Sequence, residues 1–365
     1  MTVIQDTKAA DVVVTKERLF GSEQRWRRFG VPTPAGESRR ADGAVDYGLF
    51  GPGSLAWDII LHPVTIFLET VAQGQVQTTY KPVDAGVRDK DPMTRKGLQD
   101  TLTIMDAFDR AQRNSGIHAP MWLADTPSAE RIAKHLIAIH GKVVSDIIDV
   151  GEPELGGYAA NGPRDAMWAA LTEMESMLWL YEGLAFRDGK RPHAVSPAQR
   201  DAYIAEFAAY VRLFPHADEP PTSQSQLDAL HEKYADLFRH SATMHTMVES
   251  GEDYQAFLMR NFKKNFHRSQ VRVLMPMGVL FGLFGKAVTG CFPDHVHQSM
   301  GLTPKQSRAA RRARKMALPL VWIFQRSFAQ RYWMRLMWGP DGVKLIQHAR
   351  KLHDAAKRER AASAA

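Results

Sequence analysis

Residues 126–148 have the sequence TPSAERIAKHLIAIHGKVVSDII, which is the clearest helical pattern in the chain. Its aliphatic residues recur at helical spacing, as Ile132, Leu136, Ile139, Val143 and Ile147. Residues three or four apart lie on the same face of a helix. The pattern therefore predicts an amphipathic helix from Pro127 to about Ile148.

The two histidines of this helix are predicted to lie on different faces. His140 follows Leu136 by four positions and precedes Val143 by three, which places it on the apolar face. His135 is rotated away and shares its face with Arg131, so we expect it to be exposed. A spacing of five does not bring two histidines onto one metal ion as a spacing of four would.

The imidazole of His140 has two interpretations. A buried imidazole needs a polar partner, because leaving it unpaired costs free energy. His140 is either a core histidine bonded to a carbonyl or carboxylate, or an axial ligand of haem iron on an apolar helix. Helical periodicity does not decide between the two. Gly141 would let a planar ligand approach the backbone, which favours the haem interpretation.

Helices are predicted along the rest of the chain as well. A hydroxyl residue precedes proline at Thr126, Ser196 and Thr303, as is typical of capped helix starts. Ser196, Thr303 and Ser223 are each followed three residues later by glutamine, as in a capping box. Aromatic and aliphatic residues then recur at helical spacing, as Tyr203, Phe207, Tyr210 and Phe214 and as Leu227, Leu230, Tyr234 and Leu237. Sustained strand-like alternation is missing from the sequence, so we predict an all-α protein.

The helical pattern runs from residue 46 to 346 and indicates a single large helical domain. We expect residues 1–45 to form a polar N-terminal extension and residues 347–365 a basic helical tail that frays from Ala355 onward. Two segments rich in turn-forming or charged residues, Lys81–Pro92 and Pro215–Ser225, are predicted to be loops.

Composition restricts the type of site. The chain has 365 residues, 44% of them hydrophobic and 24% charged, as in an ordinary globular protein. With Cys291 as its only cysteine, it has no internal disulfide, no cysteine-based zinc site and no iron–sulfur cluster. The sequence around Cys291 also lacks the glycine- and arginine-bearing loop expected of a cysteine-ligated haem enzyme. No positively charged, apolar leader opens the sequence, so we expect a cytoplasmic protein.

A short apolar stretch and two basic clusters raise the question of membrane contact. Val273–Gly285 is uncharged for 13 residues, whereas a bilayer span needs about 20, so we expect a buried or interfacial helix. The basic clusters are Lys263, Lys264, His267, Arg268 and Arg272, and Arg308, Arg311, Arg312, Arg314 and Lys315. They are either solvated helix faces or a peripheral contact with an anionic membrane. Nucleic-acid binding is not expected, because no groove-reading motif accompanies the charge.

Other polar residues are weaker candidates. His295 and His297 lie two apart and could bind a surface metal ion only with further ligands. Glu173 is either a general base or an ordinary surface carboxylate of its helix. The sequence has neither a glycine-rich loop after a strand nor a nucleophile elbow, which argues against a nucleotide site and a serine hydrolase.

The order and spacing of several segments resemble the MpaB and latex-clearing (rubber oxygenase) family over roughly residues 46–340. His135–Val143, Gly156–Pro163 and Trp168 are similar to the family's His-x-x-Val helix, its Tyr-x-Ala-(Asp/Asn)-x-Pro stretch and its tryptophan. Upstream, Asp46–Trp57 and Ile60–Pro63 resemble the opening helix and the His-Pro element. Downstream, Pro293–Thr303 and Ala317–Pro319 resemble the closing segments.

This resemblance implies a helical domain that encloses a haem pocket, with haem b bound through His140. It also implies an oxidoreductase that uses dioxygen on an apolar or lipid-like substrate. The expected haem contacts besides His140 are Met105, Leu136, Val143, Tyr158 and Trp168, with Ile66 and Phe67 adding to the distal wall.

The chain departs from the family at one point. The family usually carries an Arg-x-x-x-Thr pair on the helix before the histidine, whereas Arg95 and Thr101 are six apart. Residues six apart on a helix point about 120° away from alignment. Either the helix begins after Gly97 and Arg95 reaches the site from a loop, or the pair is not preserved. We expect the first, with Arg95 at a haem propionate and Thr101 lining the distal side, both as catalytic residues.

Two functions follow from these expectations. The first is a haem b-dependent oxygenase that acts with dioxygen on an apolar or lipid-like substrate. The alternative is a non-catalytic haem- or hydrophobe-binding protein, peripheral at a membrane.

Overall fold

A computed structural model describes residues 14–21 and 29–363 of the chain. Of the predicted N-terminal extension, residues 1–13 and 22–28 lie outside the described residues, as do residues 364–365 of the predicted tail. Within the described part, helices follow one another and the strands are only two residues long. The prediction of an all-α protein is confirmed.

The first half of the chain contains α1 (Lys16–Phe20), α2 (Leu55–Ile60), α3 (Pro63–Gln77), α4 (Lys81–Lys90), α5 (Pro92–Leu98), α6 (Ile104–Leu123), α7 (Thr126–His140) and α8 (Pro163–Leu184). The second half contains α9 (Pro197–Val211), α10 (Gln224–Lys233), α11 (Ala235–Phe238), α12 (Tyr254–Lys264), α13 (Val271–Met277), α14 (Gly285–Thr289), α15 (Asp294–Ser299), α16 (Pro304–Phe324) and α17 (Ser327–Ser363). Short 3₁₀ turns occupy Pro153–Leu155 and Arg268–Gln270, and a π-helical turn occupies Gly278–Phe284.

Two antiparallel hairpins complete the described fold. β1 (Ser38–Arg39) pairs with β2 (Val45–Asp46), with Ser38 opposite Asp46. β3 (Val144–Ser145) pairs with β4 (Tyr158–Ala159), with Val144 opposite Ala159. The second hairpin follows directly on α7 and fixes the chain between α7 and α8.

Helix α8 forms the centre of the fold. Every residue from Ala170 to Tyr181 is buried, because the helix carries Met, Leu and Trp around its whole circumference. A helix without a polar face must be covered on all sides. It packs against α3, α9 and α16.

The predicted helix starts are confirmed at Ser196 and Thr303, where the structure shows complete capping boxes with Gln199 and Gln306. Ser223 also accepts the predicted hydrogen bond from its glutamine. The prediction for Thr126 is wrong by one residue. Asp125 caps α7, while the Thr126 hydroxyl donates to Asp46 at 2.8 Å.

The predicted loop at Lys81–Pro92 is instead helix α4. Tertiary contacts outweigh its turn-forming composition, since Arg88 is fully buried and donates to the carbonyls of Ile148 and Met244. Lys81 is buried too and forms ion pairs with Asp149 and Glu152. The second predicted loop, Pro215–Ser225, is confirmed between α9 and α10 apart from its last two residues, since α10 begins at Gln224.

The end of the chain is helical to Ser363 and packs on the domain. Helix α17 is kinked at Gly339, where φ is +68°. Beyond the kink, His353 contacts Asp58 of α2 at 3.0 Å, and Arg360 donates to the Gly53 carbonyl at 2.7 Å. These contacts hold the C-terminal helix against α2.

The apolar segment before Cys291 is longer than its uncharged stretch indicated. Arg268–Thr289 forms a helical run of 22 residues, which is long and apolar enough to cross a membrane by length and composition, and 35% of its apolar window is buried. Cys291 follows it, half-buried, and burial raises the pKa of its thiol to about 12.

Candidate functional site

Helix α7 ends at His140, earlier than the predicted end at Ile148. Gly141 caps it, and the chain turns toward β3. The predicted apolar face is buried only at its start, since Ile132 is fully covered, Leu136 is half-buried and Ile139 is 39% exposed.

His135 is not the exposed residue that its position predicted. It is half-buried, with its ring centroid 5.8 Å from that of Phe29. Phe29 thus packs against this side of α7, and the helical pattern of residues 126–148 contains no signal of that contact.

His140 is a half-buried imidazole, and no hydrogen bond joins its ring to the rest of the described chain. Burial lowers its pKa to about 4, and the nearby positive charge of Arg110 lowers it further. The ring is therefore neutral at physiological pH, with a free nitrogen. Within the described residues, the carbonyl or carboxylate partner of the core-histidine interpretation is not found.

Other buried or half-buried histidines have partners. His62 accepts from the Val64 backbone N–H at 3.3 Å, and His245 lies 2.9 Å from an Asp84 carboxylate oxygen. His297 bonds the Thr289 carbonyl at 2.8 Å, which takes it out of the metal site considered with His295. His140 differs from these residues because neither of its ring nitrogens has a hydrogen-bond partner in the described chain.

A ladder of side chains on α6 faces the same region as His140. Arg110, Asn114, His118 and Trp122 follow one another at intervals of four and so share one face of the helix. Arg110 donates to Asn114 at 3.1 Å, and the imidazole of His118 stacks on Trp122 with ring centroids 5.4 Å apart. Arg110 and His118 both lie close enough to lower the pKa of His140 electrostatically.

Glu173 of α8 is the centre of a buried hydrogen-bond network. His118 lies 2.9 Å from one of its carboxylate oxygens, and Gln77 donates to that oxygen at 3.0 Å. The Tyr210 hydroxyl donates to the other oxygen at 2.8 Å. Of the two interpretations from sequence, the surface carboxylate is wrong, because Glu173 is only 5% exposed.

A second buried carboxylate, Glu69 of α3, lies beside this network. Thr70 and Ser115 donate to its Oε1 at 2.8 and 3.0 Å. Its Oε2 and both amide atoms of Gln73 are buried without a hydrogen-bond partner in the described chain. The interior next to His118 therefore has unused hydrogen-bonding capacity, as expected where another group binds.

The charges in this network favour a proton on His118. Burial disfavours the imidazolium, but the carboxylate of Glu173 outweighs burial and raises the pKa of His118. Burial raises the pKa of Glu69, which favours its neutral form. His118 and Glu173 can thus hold a proton at Nε2 of the imidazole, near the uncharged ring of His140.

The residues expected to contact the haem are only partly brought together. Met105 is fully buried on α6, and Leu136 is half-buried on α7. Val143 lies beside Gly86 of α4, as does Tyr158, whose hydroxyl is 3.3 Å from the Ala85 carbonyl. Val143 and Tyr158 therefore line the contact between the β3–β4 hairpin and α4.

Trp168 packs on other elements than α6 and α7. Its ring lies 4.7 Å from those of His231 and Phe238 and 5.9 Å from that of Tyr80. Phe67 similarly packs on Phe324, at 4.5 Å. The described aromatic contacts of both residues are thus with core rings outside the ladder of α6.

Arg95 and Thr101 are not placed as expected. The helix does not begin after Gly97, since α5 runs from Pro92 to Leu98, and Arg95 is an exposed residue on it. Thr101 lies in the loop before α6 and donates its hydroxyl to the Lys96 carbonyl at 3.2 Å. The arginine whose charge acts on His140 is Arg110, not Arg95.

Sequence reasoning missed Arg110 and His118. The signal for them was present as the four-residue spacing from Arg110 to Trp122, but polar residues at this spacing are also typical of a solvated helix face. Their partners come from other parts of the chain, since His118 is buried against Glu173 of α8 and Arg110 forms an ion pair with Asp91.

A cavity of about 390 Å³ lies elsewhere, between α2, the end of α8 and α17. It is lined by His62, Tyr181, Arg187 and Lys357 among others. Burial lowers the pKa of His62 to about 4, and its ring caps α3. This cavity is polar and separate from the ladder of α6.

Comparison with protein families identifies a related family. A family model described as "ER-bound oxygenase mpaB/B'/Rubber oxygenase, catalytic domain" matches residues 57–322, which include α3, α6, α7 and α8. Comparisons with curated proteins and with solved structures give no match.

Proposed function

Because the chain belongs to the mpaB/rubber oxygenase catalytic-domain family, we propose that it is a haem b-dependent oxygenase with His140 as the iron ligand. The observation that carries this proposal is the free, uncharged imidazole of His140 at the end of α7, next to a buried network of polar side chains. Haem, when bound, supplies the binding and activation of dioxygen.

The donor set suits haem b. Axial ligation requires a neutral imidazole nitrogen, and the pKa of His140, near 4, keeps it available at physiological pH. Haem propionates are anionic and would pair with a basic side chain. The guanidinium of Arg110 is the basic group whose charge changes the pKa of His140 most. Arg110 is also anchored to Asp91 at 2.7 Å, which restricts its orientation.

The polar network has a separate role in this proposal. His118 holds a proton against Glu173, and the pair is shielded from water by Trp122 and Tyr210. Such a pair can deliver or accept a proton at a fixed position without a large change of solvation. Glu173 orients His118, so we regard it as a positioning residue.

The haem proposal is tested by purification and absorption spectroscopy. We expect a Soret band with about one haem per chain, and its loss in His140→Ala. The matched control is His135→Ala on the same helix, which should retain the haem. A colourless wild-type protein after addition of haem, or a Soret band retained in His140→Ala, would contradict the proposal.

The alternative function is a haem or hydrophobe carrier without turnover. It is favoured by Arg95 and Thr101, since one is exposed and the other is bonded to backbone. Dioxygen uptake by the haem-loaded protein with unsaturated apolar substrates separates the two functions. Uptake that depends on substrate and falls in His118→Gln supports the oxygenase, whereas no uptake with bound haem supports the carrier.

We further propose that the substrate comes from a membrane surface, reached through an exposed apolar face. We assign to this face the exposed apolar side chains of two segments. The run from α13 through the π-helical turn has Val271, Leu274, Met275, Phe281 and Leu283, and α16 has Met316, Leu320, Trp322 and Ile323. Exposed Lys263, Lys264, Arg268, Arg272 and Lys315 lie next to these residues in sequence. Apolar side chains with neighbouring cations match an anionic lipid surface.

Sedimentation with vesicles tests this contact. We expect binding to phosphatidylserine-containing vesicles that weakens in the double variant Met275→Ser and Met316→Ser, at positions 66% and 78% exposed. Leu98→Ser is the control, since Leu98 is also exposed but lies on α5. Equal binding of the double variant and the control would refute this contact.

A further inference from the structure

Three residues with metal-ligating side chains meet at a place that the haem proposal does not use. Glu175 comes from α8, His231 from α10 and His295 from α15. One ligand atom from each lies within 4.8 Å of the other two. His295 was considered from sequence as a ligand together with His297, but its neighbours in space are Glu175 and His231.

The separations already approach those of a metal site. Nε2 of His231 lies 3.0 and 3.2 Å from the two carboxylate oxygens of Glu175. The ring centroids of His231 and His295 are 5.2 Å apart. Zinc bonds of about 2.0–2.1 Å in tetrahedral geometry place ligand atoms about 3.3 Å from each other. Two of the three ligands therefore need almost no movement, and the third needs a small one.

The electrostatic environment calls for a cation. Glu175 is only 4% exposed, and in the described part of the chain no lysine or arginine forms an ion pair with it. A buried carboxylate needs a compensating positive charge. Either a proton on His231 or a bound cation can supply it.

The surroundings of the three ligands are aromatic on the inside and open on the outside. His231 lies 4.7 Å from Trp168 and 5.1 Å from Phe238, and His295 lies 6.0 Å from Trp179, measured between ring centroids. These rings restrict the orientation of both imidazoles and exclude water from one side. His295 is exposed, so the other side is open to solvent.

We propose that Glu175, His231 and His295 bind one divalent transition-metal ion of the zinc class, with water completing the coordination. Two imidazoles and one carboxylate are a common ligand set for such ions. Because the ligands come from three helices, the ion cross-links α10 and α15 to α8. This site is independent of His140, and its role is to stabilise that side of the fold.

The test uses haem-free protein, the His140→Ala variant, so that haem iron does not contribute to the metal content. After treatment with a chelator and removal of any affinity tag, Zn²⁺ is titrated by calorimetry and Co²⁺ by visible absorption. We expect one ion per chain and a higher melting temperature with Zn²⁺. The spectrum of Co²⁺ reports nitrogen and oxygen ligation directly.

His295→Ala is the decisive variant, since this side chain is exposed and its removal does not disturb the core. We expect it to weaken Zn²⁺ binding by more than about tenfold, a loss that even groups outside the direct ligand set can cause, and to abolish the Zn²⁺-dependent gain in melting temperature. His216→Ala, an exposed histidine in the loop before α10, is the control and should bind as His140→Ala does. No saturable binding, or equal binding by the His295 and His216 variants, overturns the proposal.

Discussion

The substitution Glu173→Gln tests the buried network at its centre. Glutamine preserves the shape of the side chain and can still bond Gln77 and Tyr210, but it removes the charge that faces His118. Removing one partner of a buried ion pair costs about 3–5 kcal/mol. Because the hydrogen bonds are partly kept, we expect Glu173→Gln to lower the free energy of unfolding by about 3 kcal/mol, the lower end of that range.

The stability lost in Glu173→Gln should decrease as pH rises. The pKa of His118 is raised in the folded protein, so its pairing with Glu173 stabilises the fold fully below the unfolded pKa of about 6.5. That contribution is lost as pH rises through the folded pKa. The deficit of Glu173→Gln should therefore be largest near pH 6 and smaller at higher pH.

Thermal unfolding followed by circular dichroism measures this effect. With an unfolding entropy of about 2.1 cal/mol/K per residue over 365 residues, 3 kcal/mol corresponds to a melting temperature lower by about 4 °C. The control is Glu130→Gln, the same chemical change at an exposed position of α7, where we expect less than about 0.5 kcal/mol. Equal melting temperatures for the two variants at pH 6, or a deficit that does not change with pH, would refute the assignment of a protonated His118.

Two further predictions concern the stability of the fold. Gly48→Ala should destabilise the protein by at least about 2 kcal/mol in chemical denaturation, because φ at Gly48 is +72° and a Cβ would lie 2.0 Å from the Ala124 carbonyl oxygen. The control Gly189→Ala has a φ of +71° but open space around the Cβ, so it should lower stability by only about 1 kcal/mol. Equal losses in the two variants would contradict the steric argument. Asp58→Asn should lower the stability of the protein by about 1–2 kcal/mol at neutral pH. Burial opposes ionisation of Asp58, but hydrogen bonds from His353 and a lysine lower its pKa overall, so the difference in stability from wild type should disappear as pH falls below about 4. A difference that persists in acid would contradict this pairing.

Local sequence signals were sufficient for most of the helices. Ser196 and Thr303 cap their helices through side chains only three residues away, so the relevant contacts are contained in a short window of sequence. Helix α4 shows where such signals fail. Its stability depends on the contacts of Arg88 with carbonyls at positions 148 and 244, which a window of ten residues does not contain.

The placement of His140 could be predicted from the sequence only in part. Spacing placed His140 next to the interior but did not predict that α7 ends there, because the aliphatic pattern continues into β3. The family resemblance assigned Arg95 and Thr101 to the candidate site, whereas the arginine whose charge acts on His140 is Arg110. Arg110 reaches the neighbourhood of His140 through the packing of α6 against α7, and sequence spacing within one helix does not report on packing between two.

Cys291 has a practical consequence for experiments on this protein. It is the only thiol of the chain, and its raised pKa leaves almost no reactive thiolate at neutral pH. The natural sequence is therefore a low-background host for cysteine-directed probes. A cysteine introduced at Met316, which is 78% exposed, would be labelled selectively. A fluorophore attached there would report whether the proposed apolar face leaves water when vesicles are added.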